Sequence, residues 1–254
     1  MKKKCLFVAF SNQKGGVGKS VFATSFASYL HYRKNKNVIV VDCDYPQHSI
    51  MAMRERDIGM VNSNDHYKEM LVKQYDRIRK KAYPILSSPA LHAIETAENF
   101  IAKNEGEYDI VIFDLPGTIN SSGVLSTLIN VNHVFCPAIP DKIVMHSSLA
   151  FVATMSHIIR ENPTYRLKSI HLFWNMLIKR ENRELYDMYS KIISEMNIPV
   201  LQTEIHHTVK FKKEMSVSGN AVFRSTLFPP DDELVKATGF ETLMDEICQI
   251  INIQ

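Results

Sequence analysis

A glycine-rich segment near the amino terminus has the residue types and spacing of a phosphate-binding loop. The segment reads Asn12, Gln13, Lys14, Gly15, Gly16, Val17, Gly18, Lys19 and Ser20. Its three glycines let the backbone curl so that successive N–H groups point at an anion. The ammonium group of Lys19 would neutralise the β- and γ-phosphates, and the hydroxyl of Ser20 would ligate Mg²⁺. The segment therefore predicts a site for a nucleoside triphosphate with Mg²⁺.

A second lysine in this segment needs its own explanation. The regular motif, G-x-x-x-x-G-K-[ST], has glycine where this chain has Gln13, and it does not require Lys14. Since Lys19 already serves the phosphates of its own site, Lys14 is either a solvated loop charge or a cation that reaches a phosphate across a dimer interface. We favour the second interpretation, because cations around a transferring phosphoryl group stabilise its charge.

Three aspartates that follow apolar runs are candidates for binding the metal and positioning water. Asp114 ends the run 108–114, a pattern that places a carboxylate on Mg²⁺ directly or through water. Asp42 and Asp44 stand at the end of the run 37–42, and alternate residues of a strand point to opposite faces. We assign Asp44 to positioning the attacking water, and Asp42 to a structural role or to the Mg²⁺ shell. The alternative is that Asp42 and Asp44 both cap a turn.

Apolar segments of strand length alternate with segments of helix length along the chain. The predicted strands span residues 5–10, 37–42, 83–87, 108–114, 133–138, 169–175 and 199–203. The predicted helices span residues 21–32, most of 50–81, 90–104 and a final segment after Phe228-Pro229-Pro230. This alternation predicts an α/β fold, a doubly wound, mostly parallel sheet with helices on both faces, in a single P-loop domain over residues 1–254. Ser20, Asp42 and Asp114 would then meet at the carboxyl ends of the strands.

The composition is that of an ordinary globular protein. The 254 residues are 45% hydrophobic and 22% charged, and the formal net charge is only +3, so nucleic-acid binding has to depend on local clusters of cations. Four widely separated cysteines without a C-x-x-C pair predict neither a metal site nor a disulfide framework, and they favour a reducing cytoplasm. The apolar run after Lys2, Lys3 and Lys4 is too short for a secretion signal, so we expect these lysines to be solvated.

We predict no membrane partner. No stretch approaches the roughly 18 apolar residues that span a bilayer. The C-terminal segment 240–251 has an apolar stripe at helical spacing, but its other face is acidic and would be repelled by anionic lipid. We therefore expect this helix to pack against the sheet.

The chain resembles the ParA/MinD group of deviant-Walker ATPases, and within it the ParA-type partition ATPases. The resemblance rests on the phosphate-binding loop and on residues 42–47 and 108–114. Gln13 is typical of the ParA branch, because MinD-like relatives usually have glycine there. The second motif of the family normally reads Asp-x-Asp-Pro-Gln, whereas here Tyr45 precedes the proline. The sequence around this second motif is also similar to that of ParA-like proteins carried on bacterial conjugative elements.

The resemblance implies a slow, partner-stimulated, Mg²⁺-dependent ATPase that forms an ATP-sandwich homodimer. Lys14 would contact the nucleotide of the other subunit, Lys19 would hold the phosphates, and Asp44 would align the water. Asn175 maps to the base-contact position of the family, although it is equally typical of a turn. The predicted nucleotide-binding residues are Lys14, Gly15, Gly16, Val17, Gly18, Lys19, Ser20, Val21 and Asn175. The predicted metal ligands are Ser20, Asp42 and Asp114.

The resemblance also implies DNA binding without sequence preference. Hydrolysis stimulated by a ParB-like partner would reset a cycle that positions or segregates a plasmid or conjugative element on the nucleoid. Position and charge assign the DNA contacts to a late group of cations: Lys210, Lys212, Lys213 and Arg224. A solvated face is the alternative for this group. A competing group consists of Arg77, Arg79, Lys80 and Lys81.

Two other functions stay open at this point. One is an ATPase that positions a protein cargo, such as a secretion or conjugation complex, without binding DNA. The other is a metabolic enzyme of the same fold, either a synthetase or a nitrogenase-type reductase. The sequence has no paired bridging cysteines for the reductase and no substrate-site motif for the synthetase.

Overall fold

Six parallel strands form one sheet in the order β3-β2-β4-β1-β5-β6. The computed structural model of the chain describes residues 5–104, 107–117, 123–178, 183–218 and 221–253. The strands are β1 (Leu6–Phe10), β2 (Val38–Asp42), β3 (Ile85–Ser87), β4 (Ile110–Asp114), β5 (His133–Ala138) and β6 (Ser169–Trp174). Lys2, Lys3 and Lys4, which the sequence predicts as solvated, lie outside the described residues.

Helices connect the strands and cover both faces of the sheet. They are α1 (Lys19–Ser28), α2 (Ser49–Ser63), α3 (Asp65–Ile78), α4 (Ala93–Lys103), α5 (Val124–Asn130), α6 (Lys142–Glu161), α7 (Glu184–Glu195), α8 (Asp232–Thr238) and α9 (Phe240–Ile250). A π-helical turn, Tyr29–Arg33, continues α1, and 3₁₀ turns occupy Ala90–His92 and Val209–Lys212.

The inner strands bury alternate side chains on opposite faces, as their period of two requires. Phe7 and Ala9 of β1 belong to a core that residues of α4, α5, α6 and α7 cover. Val8 and Phe10 of the same strand belong to a second core, which α1, α8 and α9 cover. The predicted doubly wound parallel sheet is confirmed.

The strand order brings the candidate site residues to one edge of the sheet. Since all the strands are parallel, their carboxyl ends form one edge, here called the carboxyl edge, and their amino ends form the amino edge. β4 and β5 flank β1, so the segments after these three strands are neighbours. The pairing of β2 with β4 places Asp42 opposite Asp114.

The prediction of a strand over residues 199–203 is wrong. Only one isolated bridge, between Val200 and Leu172, joins this segment to β6. The backbone amides of Gln202 and Thr203 donate instead to the carboxylate of Glu246 on α9, at 2.6 and 3.0 Å. A ladder with β6 does not continue past Leu201, because the next amide on that side, that of Thr203, is already bonded to Glu246.

Two predicted helical regions are each divided into two helices. The region 50–81 breaks at Asn64, whose extended backbone (φ −133°) and side-chain oxygen cap α3 through the amide of His66. The final helix breaks at Gly239, which has a φ of 74°. Asp231 caps α8 as its position predicts, accepting bonds from the amides of Glu233 and Leu234.

The two helices relevant to the membrane prediction both pack into the core. α6 is long and apolar enough to span a bilayer, contrary to the expectation that no segment approaches one. Its residues Met145, Phe151 and Val152 are buried against the sheet, and core helices of soluble proteins often have the same composition. The apolar stripe of α9 packs in the second core, as predicted.

Candidate functional site

Asn12 fixes the point at which the phosphate-binding loop leaves β1. Its side chain is almost fully buried. The amide nitrogen donates to the carbonyl of Pro137 and to the hydroxyl of Ser148, both at 2.8 Å, and the amide oxygen accepts a bond from the backbone N–H of Lys14 at 3.1 Å. The start of the loop is thereby tied to the end of β5 and to α6.

The end of the loop requires glycine. Gly18 has a φ of 98° and directly precedes α1, so the free amides of the first helical turn face the loop. A Cβ at this position would lie 3.0 Å from the amide nitrogen of Asn175 and 3.2 Å from the ring of Phe22. Backbone conformation and close packing therefore both exclude a side chain at this position.

Gly18→Ala is expected to destabilise the nucleotide-free protein by about 1–3 kcal/mol, because alanine adds strain at positive φ and a contact with Asn175. Gly15→Ala is the matched control, since a Cβ there has no atom within 4 Å and Gly15 is not among the glycines with positive φ. Chemical denaturation of the nucleotide-free proteins measures both changes. Equal stability of the two variants would contradict the strain interpretation.

Asn175 holds the phosphate-binding loop in place through hydrogen bonds. Its amide nitrogen donates to the carbonyl of Val17 at 2.8 Å, and its backbone N–H donates to the carbonyl of Ala138 at 2.7 Å. The residue is buried, and the next residue, Met176, lines the cleft above the loop. These contacts indicate that Asn175 positions the phosphate-binding loop. Its predicted contact with the base of the nucleotide stays a prediction.

The two lysines of the loop occupy different environments. The ammonium group of Lys19 is largely buried and donates to the carbonyl of Lys14 at 2.9 Å. Burial lowers the pKa of Lys19, whereas the nearby carboxylates of Asp114 and Asp44 act in the opposite direction. The described residues that line the cleft include Lys19 and its neighbours but not Lys14.

Asp114 combines complete burial with unpaired oxygens. Neither oxygen makes a hydrogen bond of good geometry to a described residue. The pKa of Asp114 is raised to about 7, mainly by burial; hydrogen bonding with Ser20 and the charge of Lys19 act against this, and the charges of Asp42 and Asp44 add to it. A fully buried carboxylate beside the hydroxyl of Ser20 is a group of oxygens that suits a divalent cation, so the residues fit Mg²⁺.

Asp42 differs from Asp114 although the two are opposite each other in the sheet. Its carboxylate accepts bonds from the backbone amides of Asp44 at 3.3 Å, Ile50 at 3.0 Å and Met51 at 3.1 Å. The bonds from Ile50 and Met51 satisfy free amides at the start of α2. The geometry favours the structural role for Asp42, and its place in the Mg²⁺ shell stays a prediction. β2 ends at Asp42, so the alternation of faces does not extend to Asp44, which lines the cleft.

The cleft has a volume of about 730 Å³ and opens at the carboxyl edge. Residues of the phosphate-binding loop line one side, and Met53 and Arg56 of α2 line another. Arg224 also lines it, and the carboxylate of Glu214 forms an ion pair with Arg224 and a longer one, at 3.7 Å, with Arg56. Arg224, predicted as a DNA contact, thus lines the cleft and is paired with Glu214.

The other three cations predicted to bind DNA lie on and next to a 3₁₀ turn. Lys210 and Lys212 belong to the turn Val209–Lys212, and Lys213 follows it; Lys212 and Lys213 are exposed. The sequence placed Asn12 in the loop without indicating its anchoring contacts, and it did not indicate Arg56 or Glu214 as residues of the site. Their roles depend on contacts between distant segments, and no local pattern marks them.

Two known proteins are similar to this chain in sequence. An uncharacterised protein of Borreliella burgdorferi, BBD21, is 55% identical over 42 residues, which is only 16% of each chain. The chromosome-partitioning ATPase Soj of Thermus thermophilus is 29% identical over 177 residues, covering 67% of this chain and 70% of Soj.

Solved structures of similar fold cover most of the chain. A plasmid partition protein of Borrelia burgdorferi bound to AMPPNP has a TM-score of 0.62 at 18% identity, covering 97% of this chain and 99% of that one. Cobyrinic acid a,c-diamide synthase of Mycobacterium smegmatis with ADP and magnesium has a TM-score of 0.55 at 21% identity, covering 81% and 88%. At these identities they support the fold alone.

The family model described as the CobQ/CobB/MinD/ParA nucleotide-binding domain matches residues 8–218, from β1 through the cleft to the segment that follows Lys213. The match includes the phosphate-binding loop, both aspartate-ended strands and Asn175. It confirms the resemblance to the ParA/MinD group stated from the sequence. The chain belongs to the CobQ/CobB/MinD/ParA family of nucleotide-binding domains.

Proposed function

We propose that this protein is a Mg²⁺-dependent ATPase that dimerises around ATP, binds DNA without sequence preference and positions or segregates a plasmid or conjugative element. The observation that carries the proposal is the cleft itself, which the loop, Lys19 and Ser20 line, with the buried carboxylate of Asp114 close enough to Ser20 and Lys19 to interact with both. Membership of the family and the similarity to Soj support the ATPase and partition parts of the proposal.

The chain offers a separate residue for each task in nucleotide binding and hydrolysis. The amides of residues 15–20 and the ammonium of Lys19 hold the phosphates. Ser20 and Asp114 hold Mg²⁺, which would neutralise phosphate charge when bound. Asp44, at the rim of the cleft, orients the attacking water. Asp42 stabilises the start of α2 and so fixes the segment that presents Asp44.

Exposed apolar side chains support self-association through the carboxyl edge. Among the described residues, each of the five segments that follow β2 to β6 has an exposed large apolar residue at this edge: Tyr45, Leu91, Leu125, Ile143 and Ile178. Tyr45 is 74% exposed and Ile143 is 71% exposed. Large apolar side chains grouped around a charged cleft are typical of an interaction surface. A second copy that covers this edge would bring its Lys14 to the cleft.

The wider setting belongs to the same proposal. One domain over residues 1–254 acts as an ATP-dependent switch in the cytoplasm, associated with the nucleoid through DNA. A ParB-like partner stimulates hydrolysis and releases the dimer. Slow hydrolysis then serves as a timer.

Binding to random-sequence duplex DNA tests the proposal, with ATP, ADP or no nucleotide and across a salt series. We expect binding only with ATP, and a steep loss with salt because cations on the protein release counterions from the DNA. ATP-dependent dimerisation is measured in parallel by light scattering. No DNA binding with any nucleotide, in a protein that still dimerises with ATP, would contradict the DNA part of the proposal.

Asp44→Ala is expected to retain ATP-dependent dimerisation and DNA binding but to lose hydrolysis by about 10²-fold, since the water is no longer oriented. Phosphate release in the presence of Mg²⁺ and ATP measures the loss. The control is Glu55→Ala on the exposed side of α2. Unchanged hydrolysis in Asp44→Ala would assign the water to another residue.

The second candidate function is an ATPase that positions a protein cargo without binding DNA. Two observations favour it: the net charge of the chain is only +3, and Arg224 is held in the cleft by Glu214 instead of being exposed with the lysines. The DNA experiment above separates the two functions, because the second predicts ATP-dependent dimers that do not bind DNA at any salt concentration.

A further inference from the structure

A group of cations lies at the amino edge of the sheet, far from the nucleotide cleft. One part comes from the segment before β2, and the other from the end of α3 and the segment before β3. We call the group the amino-edge basic surface, and it consists of Lys34, Lys36, Arg77, Arg79, Lys80 and Lys81.

Specific contacts hold the two segments of this surface together. The guanidinium of Arg77 donates to the carbonyl of Tyr32 at 3.2 Å. The ammonium of Lys80 donates to the carbonyl of Asn35 at 2.5 Å, and the ring of His31 is 2.9 Å from the carbonyl of Lys81. Cations that are distant in sequence therefore share one surface.

Much of the charge of this surface is not neutralised. Asp245 pairs with Lys34 at 3.0 Å and Asp76 pairs with Arg79 at 3.1 Å. Among the ion pairs between described residues, none includes the remaining four cations: Lys36, Arg77, Lys80 and Lys81. Burial lowers the pKa of Lys80, the nearby carboxylate of Asp109 acts against this, and the neighbouring ammonium of Lys36 lowers the pKa further. An anion bound between Lys36 and Lys80 would offset the electrostatic repulsion between their ammonium groups.

The position of the surface is compatible with a nucleotide-bound dimer. β2 separates it from the carboxyl edge, and five residues of strand span about 13 Å. A second copy that covers the cleft would leave the amino edge exposed. The late lysines are placed differently: the carbonyl of Lys213 accepts bonds from the amides of Phe223 and Arg224, and Arg224 lines the cleft.

Capping of helix ends explains only part of the surface. Arg77 and Lys80 bond to carbonyls at the end of the π-helical turn, a position where cations are favourable. Lys36 and Lys81 make no such side-chain contact with the described residues, and Lys81 is exposed. Stabilisation of the fold through a described side-chain contact therefore does not explain the positive charges of Lys36 and Lys81.

We propose that the amino-edge basic surface, and not the group around Lys210, is the main contact for the phosphate backbone of duplex DNA. This inference rests on the DNA part of the proposed function and adds to it the surface that binds. Cations from two crossing segments, four of which form no ion pair with a described residue, suit successive phosphates of a duplex.

The test compares two double variants with the same change in charge. Lys36→Glu/Lys81→Glu alters the amino-edge basic surface without removing a described side-chain contact. Lys210→Glu/Lys212→Glu alters the late lysines. Binding of random-sequence duplex DNA with ATP is measured for both variants and the wild type across a salt series, together with ATP hydrolysis without DNA.

We expect Lys36→Glu/Lys81→Glu to weaken DNA binding at least about tenfold and to reduce the salt slope by about two, since two phosphate contacts are lost. Its hydrolysis without DNA should stay at the wild-type rate, and Lys210→Glu/Lys212→Glu should bind DNA nearly normally. A larger or equal loss in the late-lysine variant, or no loss in either, would overturn this inference while the proposed function stands. Failure of the wild type to bind DNA would overturn the proposed function itself.

Discussion

Asp114→Asn is expected to stabilise the nucleotide-free protein at pH 8 while abolishing its Mg²⁺-dependent hydrolysis. The carboxylate of Asp114 is fully buried, and burial raises its pKa to about 7 from an ordinary value of 3.8. The folded protein thus binds a proton between about pH 4 and pH 7 that the unfolded chain has already released. Stability therefore falls as pH rises through this window, and the full cost of the buried charge is present above pH 7.

The size of the effect is large for one residue. A difference of about three pKa units between the folded and the unfolded protein lowers the free energy of unfolding by at most about 4 kcal/mol at pH 8. Asparagine removes the charge but leaves a buried amide without partners, so we expect a net gain of about 1–3 kcal/mol at pH 8. At pH 4, where Asp114 is protonated in the folded protein, the two proteins should differ little. Urea unfolding at both pH values measures the difference.

Asp42→Asn is the matched control, because Asp42 is equally buried and lies opposite Asp114 in the sheet. Its oxygens accept three bonds from backbone amides, so an amide there loses charge-assisted hydrogen bonds. We expect Asp42→Asn to destabilise the protein by about 1–3 kcal/mol at pH 8. A gain of stability in Asp114→Asn together with a loss in Asp42→Asn would distinguish a carboxylate that is retained for binding a cation from one that stabilises the fold. Destabilisation by Asp114→Asn at both pH values would contradict the assignment of Asp114 to Mg²⁺.

The phosphate loop and the strands beside it could be predicted because their information is local. The order of apolar run, glycines, lysine and hydroxyl fixes a strand, a loop and a helix within a few residues. The runs that end at Asp42 and Asp114 are buried on both faces of the sheet, so nearly every residue in them is apolar. Such runs give the strand and the acid at its end from the sequence alone.

The incorrect sequence predictions concern groups whose hydrogen bonds or ion pairs are made with residues that are distant in the sequence. The segment 199–203 has the composition of a strand, but the carboxylate of Glu246 on α9 accepts the bond from the Thr203 amide that would continue the ladder with β6. The different states of Asp42 and Asp114 also could not be predicted. Both follow apolar runs, and only the turn after β2 folds amides back onto one of them. The salt bridge of Arg224 with Glu214 likewise depends on how the segments after β6 pack over the cleft.

Lys14→Ala is expected to retain ATP binding but to lose ATP-dependent dimerisation and hydrolysis. The side chain of Lys14 is not among the described residues lining its own cleft, so ATP affinity should change less than about threefold. Hydrolysis should fall by at least about 10²-fold, the effect of removing one group that stabilises developing charge. A fluorescent ATP analogue, light scattering and phosphate release measure the three properties. Lys19→Ala is the contrasting variant, since it should lose ATP binding itself.

A mixture of the two variants tests whether Lys14 acts on the other subunit. In a heterodimer, the Lys14→Ala subunit keeps Lys19 and binds ATP, while the Lys19→Ala subunit supplies an intact Lys14. One complete site then forms, so we expect the mixture to recover hydrolysis that neither variant has alone. Pull-down of differently tagged subunits confirms that the heterodimer forms. A heterodimer without activity would mean that Lys14 acts within its own subunit, because that arrangement leaves neither subunit with both lysines.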